Sequence, residues 1–260
     1  MRPVLARLGP LAINSYGAML MLGVIAAAVV ALTRARRHGT RRDDVLALAA
    51  LALGGGLLGG YLLFQVTQLP ALWRDPSLFW RSTGMVFYGG LLGAAGAIAA
   101  YAAFVKIPLG AAADLVAPAV PVGQALGRVG CLLAGCCHGR PAEGAWAEPF
   151  GGRHPVQLYE AAGLLALAAG LLLLERRRPR PFTVALAYLA GYAVLRFGLE
   201  LLRGDAIRGF VLGGALSTSQ LLSLLIGGAA VVLLLARRGG RTITGPGAAQ
   251  PPFDPAAKPR

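Results

Sequence analysis

The chain has 260 residues, 56% of them hydrophobic, with a mean hydropathy of +0.63, which is too apolar for an ordinary water-soluble domain. Its formal net charge of +14 would suit a nucleic-acid partner if the basic residues shared one face of a soluble fold. They fall instead in short clusters between apolar runs, which argues against nucleic acid and for a multi-pass membrane protein.

In chain order the apolar runs lie at 12–32, 45–66, 84–104, 112–134, 155–174, 182–202 and 216–235. Each is near the ~20 residues that cross ~30 Å of hydrocarbon as a helix. The expected fold is an all-α polytopic bundle of about seven transmembrane helices. Its fourth span is the most irregular, because Pro118, Pro121 and several glycines interrupt it. The first run has no small-residue cleavage site and carries Asn14, Ser15 and Tyr16 at its entrance, so it reads as a retained span. Arg34, Arg36, Arg37, Arg41 and Arg42 follow span one, Lys106 follows span three, Arg176, Arg177, Arg178 and Arg180 follow span five, and Arg237, Arg238 and Arg241 follow span seven. Seven crossings put all of these on one side, which the positive-inside rule makes cytoplasmic, with the N-terminus outside and the C-terminus inside. Residues 1–238 form one expected membrane domain. Residues 239–260, rich in Gly, Pro and Ala, form an expected disordered cytoplasmic tail.

The outer loops are expected at 67–83, 136–153 and 204–215, and the first two hold Trp73, Trp80 and Trp146, which suit the headgroup level. Small residues crowd spans two and three (GGGLLGGY, 54–61; GGLLGAAGA, 89–97), predicting close backbone approach between helices. No internal repeat is visible, which weighs against a transporter built from two related halves.

Polar residues inside the runs mark the functional region, because a charge at membrane depth costs about 2.5–3.5 kcal/mol on insertion scales. On span four, Gln124 and Arg128 are one turn apart, and Gly127 and Gly130 are expected to keep the guanidinium open to a bulky partner. A guanidinium suits phosphate, which it grips through two parallel hydrogen bonds without ever losing its charge; snorkelling of Arg128 to the outer interface is the structural alternative. On span six, Tyr192, Arg196, Glu200 and Arg203 are spaced by four, four and three residues, one helical stripe. Two arginines sharing one carboxylate leave donors for an anion, and an internal ion-pair ladder is the alternative. Span five opens with HPVQLYE (154–160), where His154, Gln157 and Glu160 recur every third residue as a polar edge; for His154 alone, capping fits as well. Cys131, Cys136, Cys137 and His138 form a C-x4-CCH cluster. Adjacent cysteines are a poor spacing for one zinc ion, which leaves a structural or redox role, or a part in the site, beside metal binding.

Taken together, these motifs resemble the prolipoprotein diacylglyceryl transferases. The resemblance runs through Ser15-Tyr16-Gly17, Gly89-Gly90, Asp114, GRVG (127–130), Gly135 with Gly139-Arg140-Pro141, HPVQLYE, the Tyr192/Arg196/Glu200/Arg203 stripe and Ser219-Gln220. It implies a multi-pass enzyme of the bacterial inner membrane that moves the diacylglyceryl group of phosphatidylglycerol onto the lipobox cysteine of a preprolipoprotein and releases glycerol phosphate. The implied partners are phosphatidylglycerol, preprolipoprotein signal peptides and membrane lipids. No nucleic acid, no cofactor and no metal are implied. The implied catalytic residues are Arg128, Arg196, Tyr88 and Glu200. Phospholipid contacts are implied for Tyr16, Gly127, Arg128, Arg203, Gln157, Glu160 and His154. The chain departs from the family pattern where Tyr88 replaces a histidine, Cys131 an asparagine, Cys136 a glutamate and Gly60 an arginine. A related transferase with another acceptor, and a lipid or organic-anion transporter, are the alternatives.

Overall fold

The computed structural model describes residues 4–8, 11–82, 84–204, 210–211 and 214–239. The expected tail beyond residue 239 and most of the loop at 204–215 lie outside them. The helices are α1 (Ser15–Arg34), α2 (Arg42–Thr67), α3 (Leu69–Arg74), α4 (Leu78–Arg81), α5 (Phe87–Phe104), α6 (Leu109–Val116), α7 (Ala119–Ala134), α8 (Val156–Arg176), α9 (Thr183–Glu200) and α10 (Thr218–Gly239). Two antiparallel ribbons accompany them, β1 (Val4–Leu8) with β2 (Leu11–Asn14) and β3 (Phe210–Val211) with β4 (Leu216–Ser217). The first ribbon takes residues 12–14 from the expected first span, so α1 starts at Ser15.

Five segments are long and apolar enough to cross a bilayer: Ser15–His38, Arg42–Thr67, Leu109–Ala134, Val156–Arg176 and Thr218–Arg237. They coincide with expected spans one, two, four, five and seven. The other two exist as helices but differ in kind. The apolar part of α5, Tyr88–Phe104, is shorter, and α9 fits Arg196 and Glu200 into 18 residues. The fourth span is broken at Pro118, where α6 gives way to α7, because proline lacks the N–H that a continuous helix needs.

Packing follows the membrane rule that small residues face helices and large ones face lipid. Ala31, Ala35, Ala112, Ala119, Ala125, Ala161 and Ala193 are buried, while Met21, Ile25, Val29, Leu224, Leu225 and Val232 are exposed. The glycines of spans two and three pack as expected. A Cβ on Gly55 would lie 2.6 Å from the Gly93 carbonyl oxygen, and one on Gly59 would lie 2.9 Å from Gly93 Cα, so α2 and α5 cross backbone to backbone. A Cβ on Gly23 would meet the Gly123 carbonyl at 2.7 Å, which brings α1 equally close to α7.

At one end of the bundle Arg34 is almost fully buried. It donates through Nε to Glu175 Oε2 (2.7 Å), through Nη2 to Glu175 Oε1 (2.9 Å) and the Asp114 carbonyl (2.8 Å), and through Nη1 to the Leu115 carbonyl. His38 Nε2 adds a 2.6 Å contact with Glu175 Oε1, and Asp114 accepts from the Ala185 amide at 2.8 Å. Arg34 is therefore more than one of a group of interfacial charges: it ties together α1, α6 and α8, and Asp114 adds α9. Arg180 and Arg237 lie at the same end, each donating to the other's segment: Arg180 to the Arg237 carbonyl (2.5 Å) and Arg237 to the Pro181 carbonyl (2.7 Å).

Candidate active site

From beside this basic end, where Ala31 and Leu115 belong to its lining, α1 and α7 frame a cavity of about 500 Å³ that α2, α5, α6, α8 and α9 help to line. Along α1 its wall runs from Tyr16 to Ala31, about 22 Å at 1.5 Å per residue. The walls are Ala, Val, Leu, Ile and Gly, and the polar groups collect at the Tyr16 end: Tyr16, Gln124, Arg128, Cys131, Glu160 and Tyr192. One long apolar channel with one polar end suits an amphiphile rather than a water-soluble metabolite.

Arg128 is the charge of that polar end. Its Nη2 lies 2.9 Å from Glu160 Oε1, and its side chain is 23% exposed against 2% for Glu160. Both groups line the cavity, the carboxylate at its buried edge and the guanidinium as the more open of the two. The flanking glycines divide the work differently from the expectation that both keep space open. A Cβ on Gly127 would meet nothing within 4 Å, whereas one on Gly130 would lie 2.9 Å from Met19 Cβ and 3.4 Å from Tyr16 Cα. Gly127 opens the cavity; Gly130 lets α1 pack against α7 and brings Tyr16 beside Arg128.

The span-six stripe is only partly a stripe. Tyr192 lines the cavity and stacks on Tyr188, whose hydroxyl donates to Gln124 Oε1 at 3.0 Å. Arg196 stands behind the lining. Its Nη2 pairs with Glu200 Oε2 at 2.7 Å and donates to Ser219 Oγ of α10 at 3.2 Å, while its buried Nη1 has no hydrogen-bond partner among the described residues. Because α9 ends at Glu200, Arg203 leaves the helical stripe and forms an isolated bridge with Gly139. Glycine is needed next to it, since a Cβ on Gly204 would lie 2.8 Å from the Gly139 carbonyl oxygen.

HPVQLYE also splits. Pro155 caps α8, and His154 precedes the helix, its ring against Trp146 (5.3 Å) and Tyr159 (6.2 Å). Buried Gln157 donates through Nε2 to the Cys136 carbonyl at 2.6 Å. Of the three recurring residues, Glu160 alone lines the cavity. Tyr88, at the start of α5, is 38% exposed and is not part of the lining. Sequence spacing gave no sign that Tyr188 donates to Gln124 or that Ser219 supports Arg196, because both contacts join different helices.

The cysteines follow from how α7 stops. Gly135 adopts a left-handed conformation (φ 75°), its amide bonding to the Leu132 carbonyl (3.1 Å) and the Cys136 amide to the Cys131 carbonyl (3.1 Å), the Schellman arrangement. That reversal lays Cys136 back over Cys131, and a left-handed Cys137 (φ 62°) turns its thiol to within 3.7 Å of Cys136 Sγ. A hydrogen bond from Cys131, then one from Cys136 and the charges of Arg203 and Arg128, hold the Cys137 thiol low, at about 5. Burial pushes the Cys136 thiol up.

A sequence model of the family described as prolipoprotein diacylglyceryl transferase matches residues 3–236. The phosphatidylglycerol–prolipoprotein diacylglyceryl transferase of Clostridium tetani is 36% identical over 234 residues, covering 86% of this chain and 93% of that one. The protein of the same name from Methylococcus capsulatus is 34% identical over 255 residues (91% and 96% covered), and that from Geobacter sulfurreducens 37% identical over 240 residues (85% and 89%).

Proposed function

The chain belongs to the prolipoprotein diacylglyceryl transferase family, and from that membership we propose that it moves the diacylglyceryl group of phosphatidylglycerol onto the lipobox cysteine of a prolipoprotein. The observation that carries the reading is Arg128, paired with Glu160 and facing an apolar channel of lipid proportions. An acyl chain lies along the α1–α7 wall, and the phosphate meets the guanidinium.

The acceptor sulfur attacks the glycerol carbon that bears the phosphate. A carbon–sulfur bond forms, the carbon–oxygen bond breaks with its electron pair passing to the phosphate oxygen, and glycerol phosphate leaves. Negative charge grows on that oxygen as the bond breaks, so a fixed cation beside it lowers the barrier. Arg128 supplies the cation, and Gly127 leaves room for the headgroup. Tyr16 and Tyr192 flank it with hydroxyl donors. Arg196, oriented by Glu200 and Ser219, adds positive charge from behind Tyr192, and its Nη1 has no hydrogen-bond partner among the described residues. The thiol proton passes to Glu160, the one carboxylate among the residues that line the cavity. Gln157, His154 and Arg203 act at one remove by fixing the 136–140 segment that roofs the site, and Tyr88 meets the incoming peptide.

For the membrane we propose seven crossings, with α5 and α9 joining the five longer segments, and with the basic end in the cytoplasm. The pairing of α5 with α2 through glycines and of α9 with α8 and α10 supports counting both. The meeting of Arg34, Arg180 and Arg237 at one end supports that orientation. The site then opens to the outer leaflet of the bacterial inner membrane, where preprolipoprotein signal peptides present their lipobox.

Incubating purified protein with phosphatidylglycerol and a lipobox peptide, then weighing the peptide by mass spectrometry, tests the reaction. A diacylglyceryl adduct is expected. Unmodified peptide, under conditions where the Clostridium tetani relative modifies it, overturns the assignment.

A further inference from the structure

The three cysteines are used nowhere in the reaction just described, yet the fold goes to some length to gather them. Their Sγ atoms all lie within 4.8 Å of one another, and Cys136 and Cys137 are 3.7 Å apart. Sequence spacing alone argues against one ion on adjacent cysteines. The Schellman turn at Gly135 and the left-handed Cys137 remove that objection by folding the second and third thiols back toward the first. The Gln157 hydrogen bond to the Cys136 carbonyl then fastens the loop to α8.

We propose that Cys131, Cys136 and Cys137 form a three-thiolate site for a thiophilic d¹⁰ cation of the copper(I) class. Metal–sulfur bonds of about 2.3 Å put three sulfurs in a trigonal plane about 4.0 Å apart, so closure onto an ion asks for shifts under about 1 Å. Soft thiolates select copper(I) and zinc over harder ions. With three sulfurs and no histidine or carboxylate completing the group among the described residues, a trigonal monovalent ion is the better match. Three thiolates around a monovalent cation carry two net negative charges. Arg203 and Arg128, both of which act electrostatically on Cys137, oppose them. Binding releases each remaining thiol proton to solvent and needs no oxidant or reductant beyond copper already in the +1 state.

The test uses the full-length protein in detergent, reduced, freed of reductant and kept anaerobic. It is titrated with copper(I) as its acetonitrile complex against a chromogenic copper(I) chelator. One equivalent is expected to bind, with an X-ray absorption spectrum of three sulfurs and no nitrogen. Cys136→Ser and Cys137→Ser should each weaken binding at least ~10-fold, and copper should protect both residues from iodoacetamide in the parent. Because Cys131 is buried, Cys131→Ala is compared with Cys131→Ser, and thermal melting confirms that each folds. Binding no tighter than in a triple-serine variant, a two-sulfur spectrum with one cysteine dispensable, or a disulfide among the three in the protein as isolated would each overturn the proposal. Lipid transfer is not read in this experiment, so its outcome stands apart from the reaction assigned above.

Discussion

Gly127→Ala separates cavity from packing. Alanine in a helix interior is more favourable than glycine by about 0.8–1.0 kcal/mol. At Gly127 an added Cβ meets nothing within 4 Å, so that gain is realised in full. In a chain of this size it raises the melting temperature by about 2–4 °C. The new methyl stands in the cavity beside Arg128, where the headgroup phosphate is to sit, and a displacement of about 1 Å at a reacting centre costs about a hundredfold. The variant is therefore more stable and less active. Gly130→Ala, three residues on, does the reverse. Its Cβ would lie 2.9 Å from Met19 Cβ, against about 3.5–4.0 Å for carbons at rest. The overlap costs about 1–3 kcal/mol, which outweighs the propensity gain, so the melting temperature falls. Melting in detergent and kcat/KM for transfer from phosphatidylglycerol to a lipobox peptide, measured on both variants, decide the matter. If Gly127→Ala melts lower than the parent, the space at Gly127 is not open; if it keeps kcat/KM within about twofold, the headgroup does not lie where Arg128 and Gly127 put it.

Arg128→Met alone strands a buried carboxylate and is expected to cost about 3–5 kcal/mol as well as transfer, whereas Arg128→Met with Glu160→Gln recovers the melting temperature but leaves transfer down at least ~100-fold; recovery of transfer in the pair would rule out a charge role. Glu175→Ala should lower stability by about 3–5 kcal/mol by leaving Arg34 without its carboxylate, while KM for phosphatidylglycerol, measured well below the melting point, is unchanged. Gly59→Leu should lower the melting temperature sharply by driving α2 from α5, and Gly54→Leu, where a Cβ meets nothing within 4 Å, should not; equal effects would mean that lipid exposure rather than helix contact sets the cost. Iodoacetamide should modify Cys137 at a rate already level above about pH 6, since a thiol titrating near 5 is thiolate there, while the rate at Cys136 climbs with pH. A Cys137 rate that rises through about pH 8.5 would contradict the assigned charge environment.

What one sequence revealed and what it hid divide along local and long-range physics. Arg128, Glu160 and Gly127 were legible because a charge, or a glycine beside one, is conspicuous within an apolar run, and Tyr16 was legible through the family resemblance; all four meet at the polar end of the cavity. The α2–α5 crossing was legible for the same reason. Periodicity misled at Arg203 because it assumed a helix that stops at Glu200, where pairing with Gly139 takes over. It misled at His154 and Gln157, whose partners Trp146 and Cys136 come from a preceding loop that no helical spacing represents. Arg34 looked like one arginine among several in a basic cluster. Only the arrival of Glu175 from 141 residues away distinguishes it from its neighbours.

That knot has a mechanical corollary. With Arg34, Glu175, Asp114 and His38 lashed together, α1, α6, α8 and α9 are pinned at the basic end of the bundle. The far tips of α1 and α7 meet instead at Gly130, whose missing Cβ lets Met19 and Tyr16 lie directly against it. In the reaction proposed above, the reactants meet at that other end, beside Arg128 and Tyr16. The bundle is thus braced by buried charge at one end and by close backbone packing at the other, so removing Glu175 and enlarging Gly130 strain opposite ends of the same helix α1.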